Sequence, residues 1–342
     1  MKLNGKITRI LANFYYVTDL ENRTWECFAR GRLLKEGKLL FVGDDVEIEM
    51  SNPTQGVIVN VLDRKNKILK PPISNIDQVL VVLSTCEPDF DFYNLDRYLS
   101  FISYELPNEK IAVCMNKTDL KKIDLANIYK NSGFDIYYVS ALKQEGLEAL
   151  GEGLVKKTTV LTGPSGVGKS SLIKALAPNE DIKIGSLSSI KQGKHITRNV
   201  QLISIDFKGE KGFLGDTPGF TQFSFAGLKP HKITETFNEF KNLNCTFANC
   251  LHMDEEGCVL KNDDLLQIPD TRLDSYRKII DESKSETIYG TKEESKIKYV
   301  GGKSTKKNHE KTLPKIDQEM REKSRKKNKQ DLRKYEPEDE DS

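Results

Sequence analysis

The segment Gly163-Pro164-Ser165-Gly166-Val167-Gly168-Lys169-Ser170 places glycine, lysine and serine at the spacing G-x-x-x-x-G-K-[ST]. Glycines at this spacing let a backbone curl until successive N–H groups point inward at phosphate oxygens, and a helix beginning at the loop's end adds its positive pole. The strand-like Thr158–Thr162 before the loop and the helix-like Ser171–Ala177 after it supply the context such a cradle needs. Here Lys169 is expected to reach the β- and γ-phosphates and stabilise charge during catalysis. The Ser170 hydroxyl is expected to ligate Mg²⁺, with Ser171 extending the run of nucleotide contacts. The loop is indifferent to the base, so ATP and GTP both stay open at this point.

Asn116-Lys117-Thr118-Asp119 addresses the base. It follows the apolar Ile111–Met115, and N-K-x-D loops belong after such a strand. The Asp119 carboxylate can accept from both guanine N1–H and N2–H₂, whereas adenine presents an acceptor at N1 and leaves the carboxylate unpaired. Asn116 would brace the loop, and the Lys117 stem would lie over the base. Ser140-Ala141 closes the strand-like Ile136–Val139, where a backbone amide can meet guanine O6. Asp216-Thr217-Pro218-Gly219 ends the strand-like Gly212–Gly215; Asp216 would hold Mg²⁺ through water and the Gly219 amide would sense the γ-phosphate. Taken alone, D-x-x-G is a turn pattern and Ser-Ala says nothing. Together, each at a strand end, they describe the nucleotide edge of an open α/β sheet.

Their order is rotated. The guanine element precedes the phosphate loop, whereas ordinary GTPases carry it after D-x-x-G. A circular permutation moves the chain ends and keeps the pocket, provided the original ends lie close together. It also runs the segment after Asp216–Gly219 directly into the C-terminal region, so nucleotide state could move that region mechanically.

A second chemistry stands further on. Cys245-x₄-Cys250-x-His252-x₅-Cys258 supplies three thiolates and an imidazole, the ligand set of a closed tetrahedral structural Zn²⁺ site. With all four positions filled by protein, a catalytic zinc is not expected. The loop Cys250–Cys258 can bury little apolar surface, so metal would stabilise it instead.

The elements that must position these groups fall into three folded regions. Residues 1–70 read as short strands, among them Gly5–Ile10, Phe14–Val17, Thr24–Phe28 and Asp45–Met50, with turns at Glu21-Asn22 and Val42–Asp44. About five strands in so short a span suit a small OB-type barrel. Residues 71–224 alternate buried-strand candidates (Val79–Leu83, Ile111–Met115, Ile136–Val139, Thr159–Thr162, Leu202–Asp206, Gly212–Gly215) with amphipathic stretches such as Leu95–Tyr104 and Ser170–Leu176. That alternation predicts a mostly parallel sheet covered by helices. Residues 225–284 hold the Cys/His cluster, predicted to lie within helices. Residues 285–342 are expected to form a charged, flexible tail: Lys292 through Lys334 carries 16 basic and 7 acidic residues, and Glu336–Asp341 adds five acids. The fold class is therefore a multidomain α/β protein: an OB-type barrel, a circularly permuted P-loop GTPase domain and a C-terminal α-helical zinc-binding domain.

The formal charge of +2 over 342 residues gives no partner by itself. No apolar run approaches the ~18 residues of a membrane span, and no signal-peptide core follows Met1, so a cytoplasmic protein with no membrane partner is expected. Three of the six cysteines cluster between 245 and 258, which in a reducing compartment favours a metal over disulfides.

With these motifs in place the chain resembles the circularly permuted ribosome-associated GTPases of the RsgA/YjeQ family over about residues 3–280. The resemblance rests on Leu95-Asp96-Arg97-Tyr98-Leu99, Asn116–Asp119, Gly163–Ser170, Gly193-Lys194-His195-Ile196-Thr197-Arg198, Asp216–Phe220 and the Cys/His cluster. It implies GTP as substrate, Mg²⁺ and Zn²⁺ as cofactors, and action late in small-subunit assembly with subunit-stimulated hydrolysis. The implied partners are the small ribosomal subunit and its 16S-type rRNA, bound by a monomer. Phe220 stands where many GTPases carry a water-orienting glutamine, and the resemblance points instead to His195 as the group that orients or deprotonates the water. Thr197 becomes the Mg²⁺-sensing threonine of the first switch, although Ile196 replaces the first threonine of the family's usual H-T-T. Gly166 stands where potassium-activated GTPases often have asparagine, so potassium activation is not expected.

The barrel, the zinc module and the basic run Arg321–Lys329 are each compatible with RNA, bound through salt-sensitive phosphate contacts. Two other readings compete: an RNA-binding scaffold that holds GTP without turning it over, and an ATP-driven remodelling enzyme, against which Asn116–Asp119 argues.

Overall fold

Alternating apolar residues on five short strands close a barrel at the N-terminal end. The computed structural model of the chain describes residues 2–31, 33, 39–69, 72–178, 200–216, 223–241, 243–253, 255–261 and 268–284. The barrel strands are β1 (Lys2–Leu11), β2 (Phe14–Asp19), β3 (Thr24–Ala29), β4 (Asp45–Met50) and β5 (Gln55–Val61). They pair in the order β1-β2-β3-β5-β4, and β4 returns to pair with β1. Ile7, Val17, Trp25, Cys27, Val46, Ile48 and Ile58 point inward and fill it. Burial pushes the Cys27 thiol up to about 12, which makes it a packing residue and not a reactive one.

Asp44 locks the barrel to the chain beyond β5. Its fully buried carboxylate accepts from Arg64 (Nε 2.6 Å, Nη2 2.8 Å), from Ser74 Oγ at 2.6 Å and from the Phe41 amide at 2.8 Å. Ser74 belongs to a hairpin of β6 (Lys67–Leu69) and β7 (Pro72–Ser74), which the strand pattern did not predict.

The main sheet then runs β10-β9-β8-β11-β13-β12. Its strands are β8 (Gln78–Ser84), β9 (Lys110–Asn116), β10 (Asp135–Tyr138), β11 (Thr158–Thr162), β12 (Gln201–Phe207) and β13 (Glu210–Asp216). Every neighbour pair is parallel except β12–β13. Period-two alternation sorts β8 between two cores: Val79, Val81 and Leu83 face one side, Leu80 and Val82 the other. Helix α1 (Phe92–Glu105) packs its Leu95, Leu99 and Ile102 on the first face. Helices α2 (Leu147–Leu154) and α3 (Lys169–Leu176) cover the second through Leu150, Leu154, Leu172 and Ile173. Asp91 caps α1 by accepting from the Tyr93 and Asn94 amides, each at 3.2 Å.

The C-terminal region carries the short helix α4 (Pro230–Thr234) and the longer α5 (Asp270–Lys284) around a core of Phe225, Ile233, Phe237, Phe240, Tyr276, Ile279 and Ile280. Asp96 of α1 and Arg272 of α5, both buried, form an ion pair; Arg272 also meets Glu239 at 2.8 Å, and the Tyr129 hydroxyl donates to Asp96 at 2.7 Å. Burial pushes the Asp96 carboxyl up against the pull of Arg272. Removing one partner would strand a buried charge, at a cost of roughly 3–5 kcal/mol. Arg97 ties the same two helices through Glu282 at 2.9 Å and donates to the Phe223 carbonyl at 3.3 Å. Thus Leu95–Leu99, one of the family-like segments, joins the sheet to the C-terminal region.

The Cys/His cluster departs from expectation in one respect. It lies on irregular chain between the 3₁₀ turn at Asn238–Phe240 and α5, not within helices. The reason is steric: four ligands separated by four, one and five residues converge only if the backbone folds back on itself. His252 adopts φ 54° and Gly257 φ 80° to do so.

Candidate functional site

All five parallel strands end at one edge, and the chemistry-bearing segments emerge there. Register fixes the alignment: Ser84 of β8 pairs with Asn116 of β9, Met115 with Tyr138 of β10, Val81 with Thr162 of β11, and Leu161 with Asp216 of β13. The loop 163–168 therefore leaves β11 between the loops that follow β9 and β10 on one side and Asp216 on the other.

Asn116, only 2% exposed, joins three segments. Its Nδ2 donates to the Val167 carbonyl in the phosphate loop at 2.9 Å, and its Oδ1 accepts from the Ala141 amide at 3.1 Å. Thus one amide side chain bonds both the Gly163–Ser170 loop and the Ser140-Ala141 turn. Two glycines make that approach possible. A Cβ on Gly168 (φ 94°) would stand 2.4 Å from Asn116 Nδ2, and one on Gly163 (φ 136°) would stand 2.0 Å from the Val82 carbonyl. Lys169 Nζ donates to the Gly163 and Pro164 carbonyls, each at 2.7 Å, so its ammonium is folded over the loop. Ser170 and Ser171 follow it in the first turn of α3, whose N-terminus opens onto the loop. Ser165 and Gly166 are exposed.

Asp119 is exposed, three residues beyond Asn116. Lys117 has φ 63°, a left-handed conformation that a lysine adopts only when its surroundings impose it. Thr85 imposes it. This buried residue, just past β8, donates its Oγ1 to the Lys117 carbonyl at 2.7 Å, and its amide donates to the Asn116 carbonyl at 3.1 Å. The Thr118 amide donates to Val139 O at 3.2 Å, and Lys117 Nζ donates to the Glu87 carbonyl. Ser140 is buried, and its Oγ accepts from the Lys143 amide at 3.1 Å, which shapes the turn through Ala141.

Thr85 was not singled out in the sequence, and no spacing rule identifies it, because its effect runs through a backbone carbonyl on a neighbouring strand. The Thr85→Val variant is expected to weaken GTP binding roughly tenfold, since a half-buried carbonyl left unpaired costs about 1 kcal/mol or more and frees the loop before Asp119. Steady-state kinetics should show the loss in KM with kcat nearly unchanged, and Thr85→Ser should restore it.

The switch residues His195, Ile196 and Thr197, together with Gly219 and Phe220, lie outside the described residues, as does the tail from residue 285. Asp216 closes β13.

Away from the sheet edge, Cys245, Cys250, His252 and Cys258 bring their ligand atoms within 4.8 Å of one another. His252 Nδ1 lies 3.5 Å from Cys245 Sγ, 3.9 Å from Cys250 Sγ and 3.7 Å from Cys258 Sγ. Burial holds His252 below the ordinary histidine value, leaving the neutral imidazole that a metal requires. Burial and the neighbouring sulfurs push the Cys250 thiol up to about 12, so a bound cation would be what holds that sulfur as a thiolate. The three-sulfur, one-nitrogen donor set fits zinc. Glu255 shapes the loop by accepting from the Leu251 amide at 3.0 Å and the Met253 amide at 2.8 Å. The Tyr276 hydroxyl donates to the Leu251 carbonyl and anchors the loop on α5.

A G-x-x-x-x-G-K-S loop, an N-K-x-D loop and a D-x-x-G strand end, met in rotated order at one edge of a parallel sheet, define a circularly permuted P-loop GTPase. Residues 61–226 match the RsgA GTPase family and residues 4–58 the RsgA N-terminal domain. The chain belongs to the RsgA family and is a GTP-hydrolysing enzyme. Among its relatives is a small ribosomal subunit biogenesis GTPase RsgA of Bacillus cereus, 36% identical over 289 residues that span 81% of this chain and 96% of the relative. The protein of the same description from Alkaliphilus metalliredigens is 37% identical over 298 residues, spanning 83% and 99%. The crystal structure of YjeQ from Thermotoga maritima superposes with a TM-score of 0.69 at 31% identity, covering 82% of this chain and 98% of that one. The structure of YloQ, described as a circularly permuted GTPase, gives 0.67 at 30% identity, covering 82% and 95%. Among the described residues no helix is long and apolar enough to cross a membrane.

Proposed function

We propose that this GTPase acts in the late assembly of the small ribosomal subunit, docks there as a monomer in the cytoplasm, and hydrolyses GTP fastest when docked. The observation that supports the reading is the Asn116 side chain bonded at once to Val167 and Ala141, which ties the segments Asn116–Asp119, Ser140-Ala141 and Gly163–Ser170 together. The partner is supported by the relatives, whose names place them in small-subunit biogenesis and whose length this chain spans almost entirely.

In this reading Asp119 selects guanine, the Lys117 stem covers the base, and the Ala141 amide meets O6. Loop amides from Gly163 to Gly168, with Lys169, hold the phosphates and stabilise the charge that develops on them. Mg²⁺, which the family implies, would be held by Ser170, Thr197 and Asp216, and when bound it offsets phosphate charge. The Gly219 amide would sense the γ-phosphate. Phe220 has no hydrogen-bonding group for the attacking water, so His195 would orient that water or take its proton. Residues 1–70 would serve as an RNA-binding barrel, 71–224 as the GTPase and 225–284 as a zinc module, with the 16S-type rRNA contacted by the first and last.

The test is GTP hydrolysis by the full chain with and without purified small subunits. Subunits are expected to raise the rate about tenfold or more, and His195→Ala to remove roughly a hundredfold of the stimulated kcat, as the loss of a positioned base does. A rate that saturating subunits leave unchanged would overturn docking-stimulated hydrolysis.

A further inference from the structure

Strand β1 of the barrel and strand β12 of the main sheet share one backbone pairing, Arg9 with Gln201, beside a cavity of ≈ 210 Å³. Ile7 pairs with Val17 and Arg9 with Tyr16, so Thr8 is the extra residue of a β-bulge in the cavity wall. Bulges re-aim side chains and recur beside binding sites. The Arg9 guanidinium stacks 3.9 Å above the Tyr16 ring, which orients it. No carboxylate or carbonyl among the described residues pairs with it. The remaining wall offers hydroxyls and amides: Thr24, Ser204 and Asn22, with Ser204 Oγ donating to Asn22 Oδ1 at 3.3 Å, so the Asn22 Nδ2 donor is not consumed by that bond. No acid lines the cavity. Glu26, which reaches the Tyr16 hydroxyl at 3.4 Å, is engaged by Gln55 at 3.0 Å.

A fixed guanidinium with surrounding N–H and O–H donors, and no carboxylate to repel an anion, suits a group with several acceptor oxygens. We propose that this cavity is a second phosphate site, distinct from the Gly163–Ser170 cradle, filled by an RNA backbone phosphate or by a free phosphate. Its RNA source rests on the proposed rRNA partnership; its free-phosphate source does not. The site straddles two elements, and β12 begins three residues after Arg198, the end of the segment that carries His195 and Thr197. A phosphate bound here therefore bridges the barrel to the strand through which that segment enters the sheet.

Two titrations test it, both on the full chain. In the first, a fluorescent oligouridylate of about 12 nucleotides, within the span of an OB barrel, is bound across a range of salt concentrations. Arg9→Gln should weaken binding about tenfold and flatten the salt slope by about 0.7, the value for one phosphate contact on a single strand. Arg9→Lys should keep the slope. In the second, inorganic phosphate is titrated into the Lys169→Ala chain at constant ionic strength and followed by the fluorescence of Trp25, the chain's one tryptophan, which neighbours Thr24. Saturation should depend on Arg9. Ser204→Ala, which removes the bond that orients the Asn22 amide in the cavity wall, should weaken whichever ligand binds, so the result does not hang on whether a barrel variant folds. An effect in the RNA arm alone identifies the backbone as the source, and an effect in the phosphate arm alone identifies free phosphate. If the native chain binds no RNA, only the RNA source fails and the phosphate arm still decides. Arg9 and Ser204 variants indistinguishable from the native chain in both arms would overturn the site.

Discussion

Asp119→Asn is expected to move the base preference of the pocket from guanine to xanthine. The carboxylate has acceptor oxygens only, matched to guanine N1–H and N2–H₂. The asparagine amide instead presents one acceptor and one donor, matched to xanthine N1–H and the C2 carbonyl. Two charge-assisted hydrogen bonds of roughly 1.5–3 kcal/mol each are lost for GTP, so its affinity should fall on the order of a hundredfold or more. Asp119 is exposed, so the change should cost little stability. Competition binding with GTP, XTP and ATP on the folded variant is the measurement. Equal losses for GTP and XTP would place the base elsewhere.

Zinc removal should have a comparably large but local effect. The chain should carry one zinc that is lost in Cys250→Ser and in His252→Ala. Structural zinc contributes on the order of 10 kcal/mol or more to a loop that cannot otherwise fold. The core of Phe225, Ile233, Phe237, Phe240, Tyr276, Ile279 and Ile280 does not include the ligands, and it reaches α1 through Asp96–Arg272. Chelation should therefore unfold the loop around 245–258 while most of the C-terminal region and the sheet persist. Limited proteolysis should show new cleavage inside that loop, and GTP affinity should stay within about twofold because the cradle shares no ligand with the cluster. Global unfolding on chelation would show that the apolar core does not suffice.

The sheet and its strand ends were legible because each buried strand is a short apolar run closed by a motif, as Ile111–Met115 is by Asn116. The barrel was legible from β-branched and aromatic residues broken by turns. What escaped the sequence acts across distance. Thr85 works through the Lys117 carbonyl, 32 positions on. Asp96 and Arg272 lie 176 positions apart, and each alone reads as an ordinary charge on an amphipathic helix. The hairpin Lys67–Ser74 has strands of three residues, too short for any period to show. The Cys/His cluster was plain from ligand spacing, but its placement within helices was wrong because the chain around it lacks apolar periodicity of its own and takes its path from ligand convergence.

Everything proposed for the pocket depends on segments from opposite ends of the usual GTPase order gripping one nucleotide. A crystal structure of the chain with Mg²⁺ and a non-hydrolysable GTP analogue tests this most directly. The account predicts guanine between Asn116–Asp119 and Ser140-Ala141, with the Asp119 carboxylate on N1 and N2 and the β- and γ-phosphates inside Gly163–Ser170 under Lys169. Phosphates bound in that loop with the base turned away from Asp119, or an analogue seated elsewhere, would contradict it.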